Sequence, residues 1–182
     1  MLVHFGWMAI LLACIAGAAT MLRWPMKARQ SYSENVARER SSRRTFAAWM
    51  TVVTLLFYWF LLHWLGPARG MGAGYYAVVW CMFICQLVLA WVPATHGRAM
   101  LVHNITSYGL ALLMPVLLII LAITSMPALH MFQMAAVVAF VGYEAIVMCL
   151  FFFQPAARRY FLWFQISLML AVWATVLIVA HG

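Results

Sequence analysis

Glu144 is the residue best placed to do chemistry, because it is a lone carboxylate deep inside a long apolar stretch. A charged carboxylate at that depth in a membrane costs about 2.5–3.5 kcal/mol on insertion scales, so it should face other helices and meet a hydrogen-bond donor. It would then serve as a proton site, a cation site or the anchor of a polar ligand. The alternative is a structural hydrogen bond between two helices. We favour a functional site, because carboxylates within membranes are so often functional.

A second group of polar residues lies in the stretch WVPATHGRAMLVHNITSYG. His96 and His103 are seven residues apart and would share one face of a helix. Their rings would lie about 10 Å apart, too far for one metal ion, so hydrogen bonding is the better interpretation. The predicted polar cluster of the bundle, which would bind a ligand or join helices, comprises His96, His103, Asn104, Ser107, Glu144 and Gln165.

Four other histidines fall at one end of the apolar segments, namely His4, His63, His130 and His181. Four imidazoles on one surface would bind copper, zinc or haem. Histidines at a membrane interface are also ordinary side chains that reach toward water. A shared metal site therefore remains an alternative, and no cofactor is predicted.

Helices that cross a membrane must position these side chains. The chain is 68% hydrophobic and only 8% charged, a composition that would leave a soluble domain with an apolar surface. The apolar runs are continuous, unlike the alternating strands of a membrane barrel. Each predicted span has the roughly 20 residues that a bilayer requires. The spans are 3–22, 46–65, 73–94, 100–125, 128–153 and 160–180. We therefore predict an all-α protein, with residues 1–182 forming one bundle of six transmembrane helices.

The basic residues indicate how that bundle lies in the membrane. The chain has eleven Lys and Arg and a formal net charge of +8, and only Arg69 falls on the side opposite the other ten. The positive-inside rule then predicts that segment 23–45 is cytoplasmic and that both termini are outside, in a bacterial inner membrane. No nucleic-acid-binding motif accompanies the charge. We expect contacts with anionic lipid headgroups and none with nucleic acid.

Segment 23–45 is the one substantial loop. Its sequence SYSENVARERSSRR predicts a short surface helix capped by Ser33, with two Glu/Arg pairs at i,i+4 spacing. A solvated loop that sets topology is the favoured interpretation. The alternative is a docking surface for lipid headgroups or a partner. Its basic residues would be Arg38, Arg40, Arg43 and Arg44.

Three stretches resemble an uncharacterised prokaryotic family of six-helix membrane proteins, which is distantly related to the damage-regulated autophagy modulator (DRAM) superfamily. WVPATHGRAMLVHNITSYG resembles that family's FP…HG…H(N) signature, with VP in place of FP. YSENVARE resembles its first loop without the usual glycine, and VGYEAI resembles its G-x-x-E sequence. The resemblance covers about residues 30–165. It implies a six-helix bundle of undefined activity, whose eukaryotic relatives are linked with membrane-lipid organisation and lipid-anchor remodelling. The residues it marks are His96, Gly97, His103, Asn104 and Glu144.

The predicted function is that of a non-enzymatic membrane protein that binds lipid or acts as a partner subunit. No nucleophile–base pair, nucleotide loop or catalytic motif favours an enzyme. Two alternatives remain open. One is a small proton-coupled transporter in which Glu144 titrates, although the sequence has no inverted repeat. The other is a haem or metal redox subunit that uses the four terminal histidines. A protein partner or a homo-oligomer is compatible with each function.

Overall fold

A computed structural model describes residues 3–95 and 97–182, and the ordered elements in that part of the chain are all helices or helical turns, with no strand. Six of its helices are long and apolar enough to cross a membrane, which confirms the predicted all-α bundle. The helices are α1 (Val3–Arg23), the short α2 (Tyr32–Val36), α3 (Arg40–Phe60), α4 (Ala73–Trp91), α5 (Arg98–Ser125), α6 (Met131–Phe153) and α7 (Phe161–His181). A π-helical turn (Leu61–Leu65) and a last α-helical turn (Gly66–Ala68) extend α3. Two 3₁₀ turns, Met126–Ala128 and Pro155–Tyr160, precede α6 and α7.

Neighbouring spans form the main packed pairs: α1 with α3, α4 with α5, and α6 with α7. Helix α3 also packs on α4, α5 packs on both α6 and α7, and α7 makes a small contact with α1. The main hydrophobic core lies in one half of the bundle, at the end that carries the α3–α4 turn and Arg69. Its most buried members include Phe60, Leu61, Leu117 and Val176. The other half, at the end that carries α2, is less filled.

Helix α3 begins at Arg40, six residues earlier than the sequence predicts. Ser42 explains the early start: it is 1% exposed, and its hydroxyl donates to the carbonyl oxygens of Val36 (2.6 Å) and Glu39 (3.1 Å). These bonds satisfy backbone acceptors just before the helix and fix its first turn. Consequently Arg40 and its two arginine neighbours belong to a membrane helix and not to a loop.

The segment between α1 and α3, residues 24–39, is folded onto the bundle, and we call it the docked segment. The interpretation as a solvated loop is therefore wrong. Asn35 is 5% exposed. Its side-chain oxygen accepts from the Lys27 backbone N–H (2.8 Å), and its side-chain NH₂ donates to the backbone carbonyl oxygens of Lys27 and Ser31 (both 3.0 Å). The Leu162 N–H, at the start of α7, donates to the Ala28 carbonyl oxygen (3.0 Å).

Ser31 caps α2, not Ser33 as predicted. The Ser31 hydroxyl accepts from the Glu34 N–H (3.1 Å), and the Glu34 carboxylate accepts from the Ser31 N–H (2.7 Å). This reciprocal pair is a capping box. Because α2 ends at Val36, neither predicted Glu/Arg pair lies within one helix. Instead Arg38 donates to the Gln30 side-chain oxygen.

The far end of α3 packs closely on α4. The Tyr75 hydroxyl donates to the Leu61 carbonyl oxygen in the π-helical turn (3.0 Å). A Cβ added at Gly66 would lie 2.8 Å from the Tyr76 hydroxyl oxygen and 3.0 Å from the Tyr75 ring. A side chain at position 66 would therefore displace the Tyr75 or Tyr76 ring.

Candidate functional site

A cavity of about 370 Å³ occupies the half of the bundle at the α2 end. All six spanning helices and the docked segment contribute to its wall. Most of that wall is apolar. It includes the methionines Met21, Met50, Met114, Met148 and Met169, and the aromatic residues Tyr32, Phe46, Trp49, Tyr108, Phe151, Phe152, Phe161, Phe164 and Trp173. A wall of this kind suits a hydrophobic molecule, and a few polar groups within it would orient that molecule.

Glu144 lies in this wall and is 1% exposed. It shares the inner face of α6 with Val137 and Val147, the other two buried residues of that helix, at spacings of seven and three residues. Nine residues separate it from Phe153, so it lies about 14 Å from the α2 end of the helix at 1.5 Å per residue. Its Oε2 atom has no hydrogen-bond partner in the described part of the chain. The site thus contains a buried carboxylate with an unused acceptor.

The predicted polar cluster is divided between two places. Ser107 and Gln165 line the cavity together with Glu144. The Gln165 side-chain oxygen already accepts from the Tyr32 N–H (2.9 Å). Asn104 is half-buried and is not part of the cavity wall. His96 lies outside the described residues.

His103 does not contribute to the cavity wall but anchors the docked segment. It is 3% exposed, with Nδ1 2.8 Å from the Val92 carbonyl oxygen and Nε2 2.8 Å from the Ser33 hydroxyl. A carbonyl oxygen only accepts, so Nδ1 carries the hydrogen. In the neutral ring, Nε2 then accepts from Ser33. His103 therefore joins α5, the end of α4 and the docked segment, which is a positioning role.

Three further residues of the cavity were missed by sequence reasoning. Trp49 lines the cavity, and its Nε1 is a buried donor without a partner among the described residues. Gln86 donates to the Met50 sulfur (3.1 Å). Burial raises the pKa of Tyr32 to about 12, so its hydroxyl stays protonated and donates to the Gly17 carbonyl oxygen (3.1 Å). The buried stripe of α3, with Phe46, Met50, Val53 and Phe57 at helical spacing, is the sequence signal that would have placed Trp49 inside.

The basic residues lie around the α2 end of the bundle. Arg38, Arg40 and Arg44 are exposed, and Arg43 is half-buried. Arg69, at the opposite end, donates to the Val179 carbonyl oxygen near the end of α7. The exposed positive charge is therefore concentrated at the end where the docked segment covers the bundle.

The four terminal histidines have separate contacts. The His181 Nε2 accepts from the Trp7 indole (2.9 Å), and the His63 ring lies 4.2 Å from the Trp59 ring. At the start of α6 the Gln133 side-chain oxygen accepts from the His130 backbone N–H (3.0 Å), and His4 is exposed. Across residues 3–95 and 97–182, no group of three or more His, Cys, Asp or Glu side chains could hold a metal ion. The structure thus does not assemble these histidines into one metal site.

The chain matches no protein-family model, no curated protein and no solved structure. Its resemblance to the DRAM-related family therefore stays a prediction. The fold and the site define its class: an integral membrane protein of six helices with a mostly apolar, partly open cavity and a buried carboxylate in its wall.

Proposed function

We propose that this protein binds an amphipathic, lipid-like molecule in the cavity and performs no chemistry on it. The observation that carries the proposal is a cavity of about 370 Å³ with an apolar wall and the unpartnered carboxylate of Glu144. Its size and lining fall within the range of small-molecule sites.

The small contact between α1 and α7 supports entry from the bilayer. These two helices complete the ring, and they meet at the Arg69 end, where Trp7 donates to His181. Nearer the α2 end, Gly17 lines the cavity, and a Cβ added there would meet no atom within 4 Å. An acyl chain would enter the cavity between the helices at this level.

The charge distribution supports an orientation with the α2 end in the cytoplasm and both termini outside a bacterial inner membrane. At that surface the exposed arginines of the docked segment and of α3 would contact anionic lipid headgroups. Each basic residue near an anionic leaflet contributes about 1 kcal/mol. These contacts would hold the cytoplasmic surface against the bilayer, through which the ligand would reach the cavity.

The proposal is tested by mass spectrometry of the purified protein, which reports amphipathic molecules bound per chain. Ala111→Trp places an indole in the cavity wall, whereas Ala139→Trp places one on an exposed position of α6. We expect the wild type and Ala139→Trp to retain a bound molecule and Ala111→Trp to lose it. Equal occupancy in all three proteins, or none in the wild type, would show that the cavity is not a binding site.

A further inference from the structure

We infer that the molecule bound in the cavity is a lipophilic cation, that is, a hydrophobic molecule with a protonated or quaternary nitrogen. This inference rests on the proposed function and specifies the ligand of the same site. Its basis is the pairing of one buried carboxylate with an aromatic wall that contains no cation.

The charges of the cavity wall favour a cationic ligand. Among the described wall residues, Glu144 is the one carboxylic acid, and none is Lys, Arg or His. The chain has eleven Lys and Arg, so cations are abundant in the protein, yet none of them lines the cavity. A buried charge without a counter-charge is strongly unfavourable. A cationic ligand would supply the missing partner, and its N–H, where it has one, would donate to the free Oε2.

The aromatic side chains of the cavity wall also favour a cationic ligand. Met148 and Phe151 follow Glu144 by four and seven residues on α6, so the three side chains share one face and line the cavity. Trp49 and Tyr108 reach the same cavity from α3 and α5. Aromatic faces attract cations, and the attraction strengthens away from water, which is why aromatic cages recognise ammonium groups. Polarisable thioethers such as Met148 adapt to ligands of varied shape.

Anionic and neutral amphipathic molecules fit this wall less well than cationic ones. An anionic lipid would bring its charge toward Glu144 and would find no basic residue in the wall. A neutral alcohol would bond to Glu144, but unlike a cation it would bring no charge to stabilise the ionised form of the carboxyl. A preference for cations over both classes therefore follows from the composition of the wall.

The test uses three probes with one chain length: dodecylammonium, dodecan-1-ol and dodecanoate, each tritiated. Binding to the purified full-length chain in non-ionic detergent is measured by scintillation proximity. We expect dodecylammonium to bind most tightly. In Glu144→Gln its affinity should fall about ten- to a hundredfold, as for the loss of a hydrogen bond to a charged group, while dodecan-1-ol binding changes little. Glu144→Asp keeps the charge and should keep the preference for the cation.

Thr54→Val is the matched control. Thr54 is also 1% exposed with an unpartnered hydroxyl in the described chain, but it is not part of the cavity wall. Its replacement should leave the affinities of all three probes unchanged. Equal binding of the three probes to the wild type, abolished by Ala111→Trp, would overturn the cation preference and leave the proposed function intact. The absence of binding for every probe, or binding that Ala111→Trp does not alter, would overturn both.

Discussion

Ser33→Ala should release the docked segment from the bundle without unfolding the six helices. The Ser33 hydroxyl lies 2.8 Å from Nε2 of His103 and 3.1 Å from the Ser31 hydroxyl. Removing it leaves a ring nitrogen of His103, a residue only 3% exposed, without its partner. The main core lies at the other end of the bundle, so the loss should act on the docked segment alone.

The expected size of the effect follows from the His103 nitrogen that loses its hydrogen bond. A buried polar group left without a hydrogen bond costs about 1–3 kcal/mol. That cost raises the population of the released segment by about 5- to 150-fold, since 1.4 kcal/mol corresponds to a factor of ten. Other hydrogen bonds of the segment, such as Tyr32 to Gln165 and Leu162 to Ala28, are unchanged and limit the release.

Limited trypsin digestion measures this population, because the docked segment contains exposed Lys27, Arg29 and Arg38. When reclosing is faster than cleavage, the cleavage rate follows the population of the open form. The rate within residues 24–39 should rise at least fivefold in Ser33→Ala. Ser41→Ala, at an exposed serine on α3, is the control and should be cleaved like the wild type. If both variants match the wild type, Ser33 does not hold the segment.

Three other outcomes are expected. Gly66→Ala should lower the free energy of unfolding by about 1–3 kcal/mol, because its Cβ would lie 3.0 Å from the ring of Tyr75, which is 1% exposed. The Cβ of Gly74→Ala would meet no atom within 4 Å, so this variant should not be destabilised. In a cysteine-free background, Ser41→Cys should resist an impermeant thiol reagent in intact cells and Gly72→Cys should react; the reverse pattern would invert the proposed orientation. Replacing Arg40, Arg43 and Arg44 with Gln should weaken the binding of anionic lipids to the full chain in nanodiscs. If anionic-lipid binding to the wild type does not fall with added salt, the electrostatic contact is refuted.

The spanning helices could be predicted because membrane insertion depends on length and apolarity, which the sequence displays directly. The start of α3 could not be predicted in this way, because it depends on polar contacts. Arg40, Arg43 and Arg44 look like loop residues by composition. The helix includes them because the buried Ser42 hydroxyl satisfies carbonyl oxygens of the preceding segment. That contact depends on where the docked segment packs, which is tertiary information.

Glu144 was predictable as an inward-facing residue, because a lone carboxylate in an apolar span has few other places to lie. Its surroundings were only partly predictable. Ser107 and Gln165 do share its cavity, while His103 is 3% exposed and occupied by Ser33 and Val92. Helical spacing shows which face a residue occupies, but not which neighbouring segment takes its hydrogen bonds. For His103, that neighbouring segment is the docked segment, whose Ser33 hydroxyl bonds to Nε2.

The docked segment and the buried carboxylate, which look unrelated in the sequence, belong to one site. Tyr32 and Ser33 form part of the cavity wall, and they are also the residues that tie the segment to Gln165 and His103. A molecule that fills the cavity would therefore touch the segment as well as Glu144. Any ligand that binds more tightly when the segment is docked must, by linkage, favour the docked state by the same free energy. The basic surface that faces the lipid headgroups would thereby sense whether the cavity is occupied.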